Sequence, residues 1–200
     1  MSTRQRRNDR IRQEILTEAR TIIAESGADG LSVRALADRV DYSPGALYKY
    51  FQNKDDLLDA VRAGGFQQLS DRILAIPTGQ NAVARIVEAG EVYLAFATEH
   101  PEQYFLMFAN RAGLPDAASS VAGRGAYDAL RSIVDVGIQS RELRNEPGFG
   151  LDEITYGCWA MVHGLAMIRL LFHGHGLKHL AATERRILKA YIAGIVNEPN

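Results

Sequence analysis

Between Ser43 and Leu58 the chain reads SPGALYKYFQNKDDLL, which sets Tyr48, Lys49 and Tyr50 side by side just behind Pro44 and Gly45. Two phenols and the ammonium groups of Lys49 and Lys54 are hydrogen-bond donors of the kind that anionic oxygens, phosphate oxygens among them, accept. A turnover site would need more: paired carboxylates in a cleft, a nucleophile beside a base, a phosphate-binding glycine loop or a metal-ligand set. The sequence offers none of these. The chemistry available is recognition.

Such groups act only if a scaffold turns them outward. Leu47 and Phe51, four residues apart, share one side of a helix and face inward. The same spacing sends Gly45, Tyr48 and Lys49 outward and leaves Tyr50 on the flank. Ser43 is the expected N-cap and Pro44 suits the first helical turn. Gly45 removes side-chain bulk there, so that a phosphate or base could approach the backbone closely. Ser32 caps a preceding short helix whose inward face is Val33, Leu36, Ala37 and Val40. Helices over 32–39 and 44–50, separated by about four residues, form a helix-turn-helix pattern, whose second helix is the one that enters a DNA groove. The helix N-termini at Ser32 and Ser43 would add free N–H groups for a phosphodiester.

Two further helices must hold this pair. Ile11, Ile15, Leu16, Ala19, Ile22 and Ile23 make a stripe that Gly27 and Gly30 terminate. Asn53 caps a helix beginning Lys54-Asp55-Asp56, with the acids at its positive end and an inward face of Leu57, Leu58, Val61 and Leu69. After the break at Pro77-Thr78-Gly79, helices are expected near 80–99, 101–112, 117–142, 151–174 and 183–197. No strand-like alternation persists anywhere. The stretch 154–172 is apolar around nearly its whole circumference, which predicts burial on several sides.

The formal net charge of the 200 residues is -1, so no global pull toward nucleic acid exists. The charge is uneven, however. Arg4, Arg6, Arg7, Arg10 and Arg12 stand against Asp9 alone in the first twelve residues, a local electrostatic footprint. Cys158 is the only cysteine, which fits a reducing compartment and a buried, inert thiol. The charged start lacks an apolar leader, and the run Tyr156–Phe172 is too short and too interrupted for a membrane span. A cytoplasmic protein without membrane association is expected.

The stretch VRALADRVDYSPGALYKYFQNKDDLL resembles the DNA-binding domain of the TetR family of bacterial transcriptional regulators. Leu36-Ala37, Ser43, Gly45, Leu47-Tyr48, Tyr50-Phe51, Lys54-Asp55 and Leu57 carry the likeness. The family's usual turn, Ala-Gly-Val-Ser, is here Val40-Asp41-Tyr42-Ser43, so Asp41 must accept the left-handed backbone that glycine normally supplies. The resemblance implies phosphate contacts from Tyr48, Lys54 and Ser32. It implies a groove-facing surface of Gly45, Ala46, Lys49 and Tyr50, in which Lys49 could donate to guanine. Val33, Arg34, Ser43, Pro44 and, from the arginine-rich arm, Arg7 complete the expected DNA-binding set.

HPEQYFLMF (100–108) and WAMVHGLAMI (159–168) are similar to the C-terminal domain of a TetR subgroup named for its Trp, His and Gly, here Trp159, His163 and Gly164. The architecture implied is all-α: a three-helix helix-turn-helix DNA-binding domain over 1–65, joined to a larger helical domain over 66–200. That second domain would bind an effector and dimerise through the last two helices. Candidates for the effector pocket are Tyr93, Phe96, Phe105, Phe108, Trp159 and His163. No cofactor is expected, and no metal site either, since His173, His175 and His179 have no acid or cysteine at ligand spacing. The expected partners are palindromic double-stranded operator DNA, a second copy of the chain and an unidentified small molecule. The expected function is a DNA-binding transcriptional regulator, a repressor released by its effector. An all-helical enzyme or carrier, or an adaptor working through its dimer face, are the competing classes.

Overall fold

A computed structural model describes residues 2–108, 121–172 and 180–197. Among them the regular structure is helical, with α1 (Thr3–Gly30), α2 (Val33–Arg39), α3 (Pro44–Leu47), α4 (Lys54–Leu74), α5 (Ala82–Glu99), α6 (Pro101–Phe108), α7 (Val121–Gln139), α8 (Leu151–Leu171) and α9 (Leu180–Ala193). The only extended pairings there are isolated bridges, Leu143 with Val196 and Glu146 with Phe149. The all-α reading holds. The helices gather into two compact units. One takes Met1–Gly65 and the segment from His100 that carries α6; the other takes Phe66–Glu99 and the helices from α7 onward.

The front unit is built on the stripe that the sequence lays down. Ile15, Leu16, Ala19, Ile22 and Ile23 of α1 are buried with Leu36 and Ala37 of α2, Leu47 and Phe51, and Leu57, Leu58 and Val61 of α4. A fully buried side chain of this size contributes about 1.5–3 kcal/mol of apolar transfer, so this core fixes the helix pair. α1 breaks at Gly27, whose φ of 69° is open to glycine and strained for other residues. α6 falls within the helix expected near 101–112, but its place in the front unit was not announced by the local sequence pattern. It packs on α1, buries Leu106 in the same core, and ends where the Arg62 guanidinium donates through Nε to the Leu106 carbonyl at 2.9 Å.

The second unit packs α5 against α7, α8 and α9. Tyr93, Phe96, Ile133, Val134, Ile154 and Ala166 are among its most buried side chains. Within one chain α8 is buried on one side only, contrary to the expectation from its apolar circumference. Tyr156 is 68% exposed, Ile168 48% and Leu171 65%. By length and composition α8 could cross a membrane, so the run is not too short as a helix. Its buried side packs on α5, α7 and α9.

Candidate nucleic-acid interface

The turn between α2 and α3 depends on one unusual backbone. Asp41 has φ 56°, the left-handed conformation that its place in the turn predicts. Tyr42 then donates its backbone N–H to the Ala37 carbonyl at 3.0 Å and leans its ring on the front core. The turn therefore has its tyrosine partly inside, which accommodates a residue much larger than the family's aliphatic one. Ser43 and Ser32 cap as expected: Ser43 Oγ accepts from Ala46 N at 3.3 Å and Ser32 Oγ from Ala35 N at 3.0 Å. Each hydroxyl accepts with a lone pair, so its own O–H remains a donor that a phosphate oxygen could take.

α3 is shorter than the 44–50 read from the sequence. It is helical only over Pro44–Leu47, after which Lys49 N donates to Ala46 O at 3.3 Å and Tyr50 N to Leu47 O at 2.9 Å. These three-residue steps tighten the chain as Phe51 turns back into the core. The result displays the intervening side chains. Tyr48 is 54% exposed and Lys49 is exposed, while Tyr50 lies half-buried against the core. Pro44 and Gly45 are exposed, Ala46 is half-buried, and a Cβ added at Gly45 would meet nothing within 4 Å. Of the two phenols, Tyr48 is thus the one held clear of the scaffold.

α2 is fixed on α1 by a charge clamp that sequence reasoning missed. Arg39 donates to Glu25 from Nη1 at 2.6 Å and Nη2 at 2.9 Å, and its Nε lies 3.3 Å from Glu18. The hydrogen bond from Arg39 holds the Glu25 carboxyl below its ordinary range. Arg34, by contrast, is exposed on α2, and Val33 rests on the core. Lys54 has a structural task as well: its Nζ donates to the Asp29 carbonyl at 3.2 Å, tying the start of α4 to the segment after the α1 break. At the same start Asn53 Oδ1 accepts from Asp56 N at 2.8 Å, and Asp56 Oδ2 accepts from Gln52 N at 2.9 Å.

The arginine-rich arm is helical from Thr3, with Arg4, Arg6 and Arg7 exposed. Arg10 pairs with Glu14 at 3.1 Å, and the Arg12 guanidinium stacks 5.1 Å from the Phe51 ring centroid. Arg12 therefore braces the fold rather than extending the charged face.

In the second unit the structure brings three of the proposed pocket residues together. The Tyr93 hydroxyl and His163 Nδ1 are 3.0 Å apart, and Trp159 sits edge-on to Tyr93 with centroids 5.2 Å apart. Tyr127, which the sequence did not single out, also sits edge-on to Trp159 with centroids 5.7 Å apart. Burial lowers the His163 pKa, which favours the neutral imidazole. Phe96 is fully buried, with the Arg72 guanidinium 5.4 Å from its ring centroid. Phe105 and Phe108 belong to α6 of the front unit, where they pack around Tyr104. Burial pushes the Cys158 thiol up to about 12, so it is protonated. Among the described residues no three His, Cys, Asp or Glu side chains gather to hold a metal. His173, His175 and His179 lie outside the described residues.

Residues 15–61 match the model of the bacterial regulatory proteins of the tetR family, and residues 86–192 match a tetracyclin repressor-like C-terminal domain. Two curated relatives are similar to parts of the chain. An uncharacterized HTH-type transcriptional regulator of Mycobacterium tuberculosis is 23% identical over 159 residues, 80% of this chain and 70% of its own. The HTH-type transcriptional repressor KstR of Rhodococcus jostii is 32% identical over 75 residues, 38% of this chain and 35% of its own. Among solved structures, a protein of unknown function from Rhodococcus sp. RHA1 superposes with a TM-score of 0.79 at 26% identity, covering 93% of this chain and 95% of that one. The transcriptional regulator FadR from Bacillus subtilis, in complex with stearoyl-CoA, superposes with a TM-score of 0.73 at 18% identity, over 92% and 98%.

Proposed function

This chain belongs to the TetR family of bacterial transcriptional regulators, and on that premise we propose that it is a homodimeric repressor whose operator complex a small-molecule effector dissolves. It is a DNA-binding transcriptional regulator; the repressor role, the partner surfaces and the residue assignments are the proposal. The observation that carries it is the exposed Tyr48-Lys49 ridge, standing on a helix pair whose turn, caps and core all serve to present it. Lys49 reads base edges, while Tyr48, Arg34, Ser32, Ser43 and Arg7 hold phosphates. Val33, Pro44, Gly45, Ala46 and Tyr50 shape the approach. Lys54 contributes in part through its charge and in part through its bond to Asp29.

A single ridge of this size reads few base pairs, and a symmetric pair reads two half-sites of a palindrome. The exposed apolar row Tyr156, Ile168 and Leu171 on α8, with Ile187 on α9, supports pairing with a second copy through these two helices. The likeness to KstR, itself a repressor, and to FadR, solved with stearoyl-CoA, supports repression and effector response. Ligand would act by population shift, favouring an arrangement of the dimer that mismatches the half-site spacing. Residues 1–65 supply the DNA-binding domain and 66–200 the effector and dimer functions, in the cytoplasm, with no catalytic step.

Footprinting of the purified full chain on DNA flanking its own gene tests this. The expected result is a palindromic protected site that weakens steeply with salt and opens with one member of a small-molecule panel. Absence of protection at low salt would refute DNA regulation; protection indifferent to every compound would refute effector release.

A further inference from the structure

The second unit encloses a cavity whose walls carry no charge. It lies among α4, α5, α7, α8 and α9, and Ile73, Ile86, Leu130, Val162, Leu188 and Ile192 make most of its surface. Tyr93, Trp159 and Cys158 also line it, and the Tyr93 hydroxyl lies 3.0 Å from His163 Nδ1. Burial keeps the Cys158 thiol protonated.

Several ionic groups of the unit are engaged with one another away from the cavity wall. Arg169 and the buried Glu184 close on each other through two bonds, and Arg169 Nη1 also donates to Thr98 Oγ1 at 2.9 Å. Arg185 pairs with Glu91, Arg72 with Glu99 and Arg131 with Asp152. Arg85 and Arg131 each keep one buried guanidinium nitrogen without a partner among the described residues, but neither side chain is part of the cavity wall. An ion entering this space would lose its hydration and gain no counter-charge.

We propose that the effector is an uncharged, compact aromatic or alicyclic molecule, taken up in this cavity beside Trp159 and Tyr93; the proposal rests on the reading of the chain as an effector-responsive regulator. The resting void is about 20 Å³, room for a water and no more, so uptake must displace a wall. The α5–α9 seam is where the displacement falls. Leu188 of α9 sits where Gly90 of α5 has no side chain, its Cδ2 3.0 Å from the place a Cβ would occupy. A ring pressing on Leu188 and Ile192 moves α9, an element that also carries the exposed Ile187. Binding is thereby coupled to the surface proposed for dimer contact.

Trp159 is the only tryptophan in the chain, so its emission reports on this cavity directly. The test titrates the full chain with toluene, benzoate and benzylammonium, which share a ring and differ in charge, while binding to the flanking DNA is followed in parallel. Toluene is expected to shift the emission and to bind at least about 100-fold more tightly than either ion. Val162→Phe, which fills the cavity, should weaken toluene about 10-fold or more. Gly90→Ala, a smaller change into which Leu188 must give way, should weaken it in the same direction. Equal binding of benzoate and toluene, no binding of any probe, or toluene binding unchanged in both variants would overturn the ligand class. Release of DNA by a charged probe alone would overturn it too and leave effector control standing. Toluene bound in the cavity with DNA affinity unaltered would leave the ligand class standing and overturn effector control.

Discussion

In the front unit the groups assigned to DNA are polar side chains raised on a small, filled core. In the second unit the groups assigned to ligand and partner are apolar, and they are either enclosed around a void or left bare along α8. The first arrangement is a pre-organised surface: Ser43 caps, Asp41 turns, Arg39 clamps, and the ridge of Tyr48 and Lys49 follows. The second is incomplete in a single chain, since α8 keeps on its surface apolar area that water does not favour. Recognition of a polyanion asks for fixed donors. Recognition of an apolar molecule or a second copy asks for surface that can be covered.

The contrast can be broken most sharply from inside the front core. Phe51→Ala removes a ring that is 4% exposed and takes away the platform on which Arg12 stacks. A loss of about 3–5 kcal/mol in urea unfolding is expected, together with loss of DNA binding. Next in size is the bare face. Ile168→Asp places a charge on the α8 row and should turn a dimer into a monomer by light scattering, lowering operator affinity 10-fold or more with helix content by circular dichroism preserved. The turn comes third. Asp41→Gly should be neutral within about 0.5 kcal/mol, because glycine accepts the φ of 56°, whereas Asp41→Val should cost about 1–2 kcal/mol in thermal unfolding.

The smallest effect separates the units by pH. Burial lowers the His163 pKa in the folded chain, so the unfolded chain binds this proton first as pH falls. Stability from this site is full above the unfolded value of about 6.5 and is lost progressively below it. Stability measured by unfolding followed through Trp159 emission should therefore fall on acidification, by less than the single-proton limit of about 1.4 kcal/mol per pH unit. His163→Gln should flatten that slope. An unchanged slope in the variant would remove His163 as its source.

The front unit was legible because its determinants are local. A serine three residues before the amide it caps, an aspartate where glycine would turn, and Leu47 four residues from Phe51 all announce themselves within one helical turn. What escaped was tertiary. Arg39 meets Glu25 from fourteen residues away, Lys54 spends a bond on the Asp29 carbonyl, and α6 returns to cover α1. The extent of α3 was also overread, since a tight turn after Leu47 replaces the last helical turn. In the body the helix order was readable, yet aromatic composition alone could not divide Tyr93, Trp159 and His163 from Phe105 and Phe108, which the chain sends to another unit. Nor could an apolar circumference distinguish a helix buried by its own chain from one left bare on one side.

The claim on which the rest stands is that Lys49 and Tyr48 form a surface that grips duplex DNA. Affinity of the wild type, Lys49→Ala and Tyr48→Ala for the footprinted site and for unrelated duplexes, measured across salt concentrations, addresses it directly. Tyr48→Ala should weaken all sequences alike. Lys49→Ala should lose about 1–3 kcal/mol of preference for the footprinted site. Affinity and sequence preference unaltered in both variants would contradict the account.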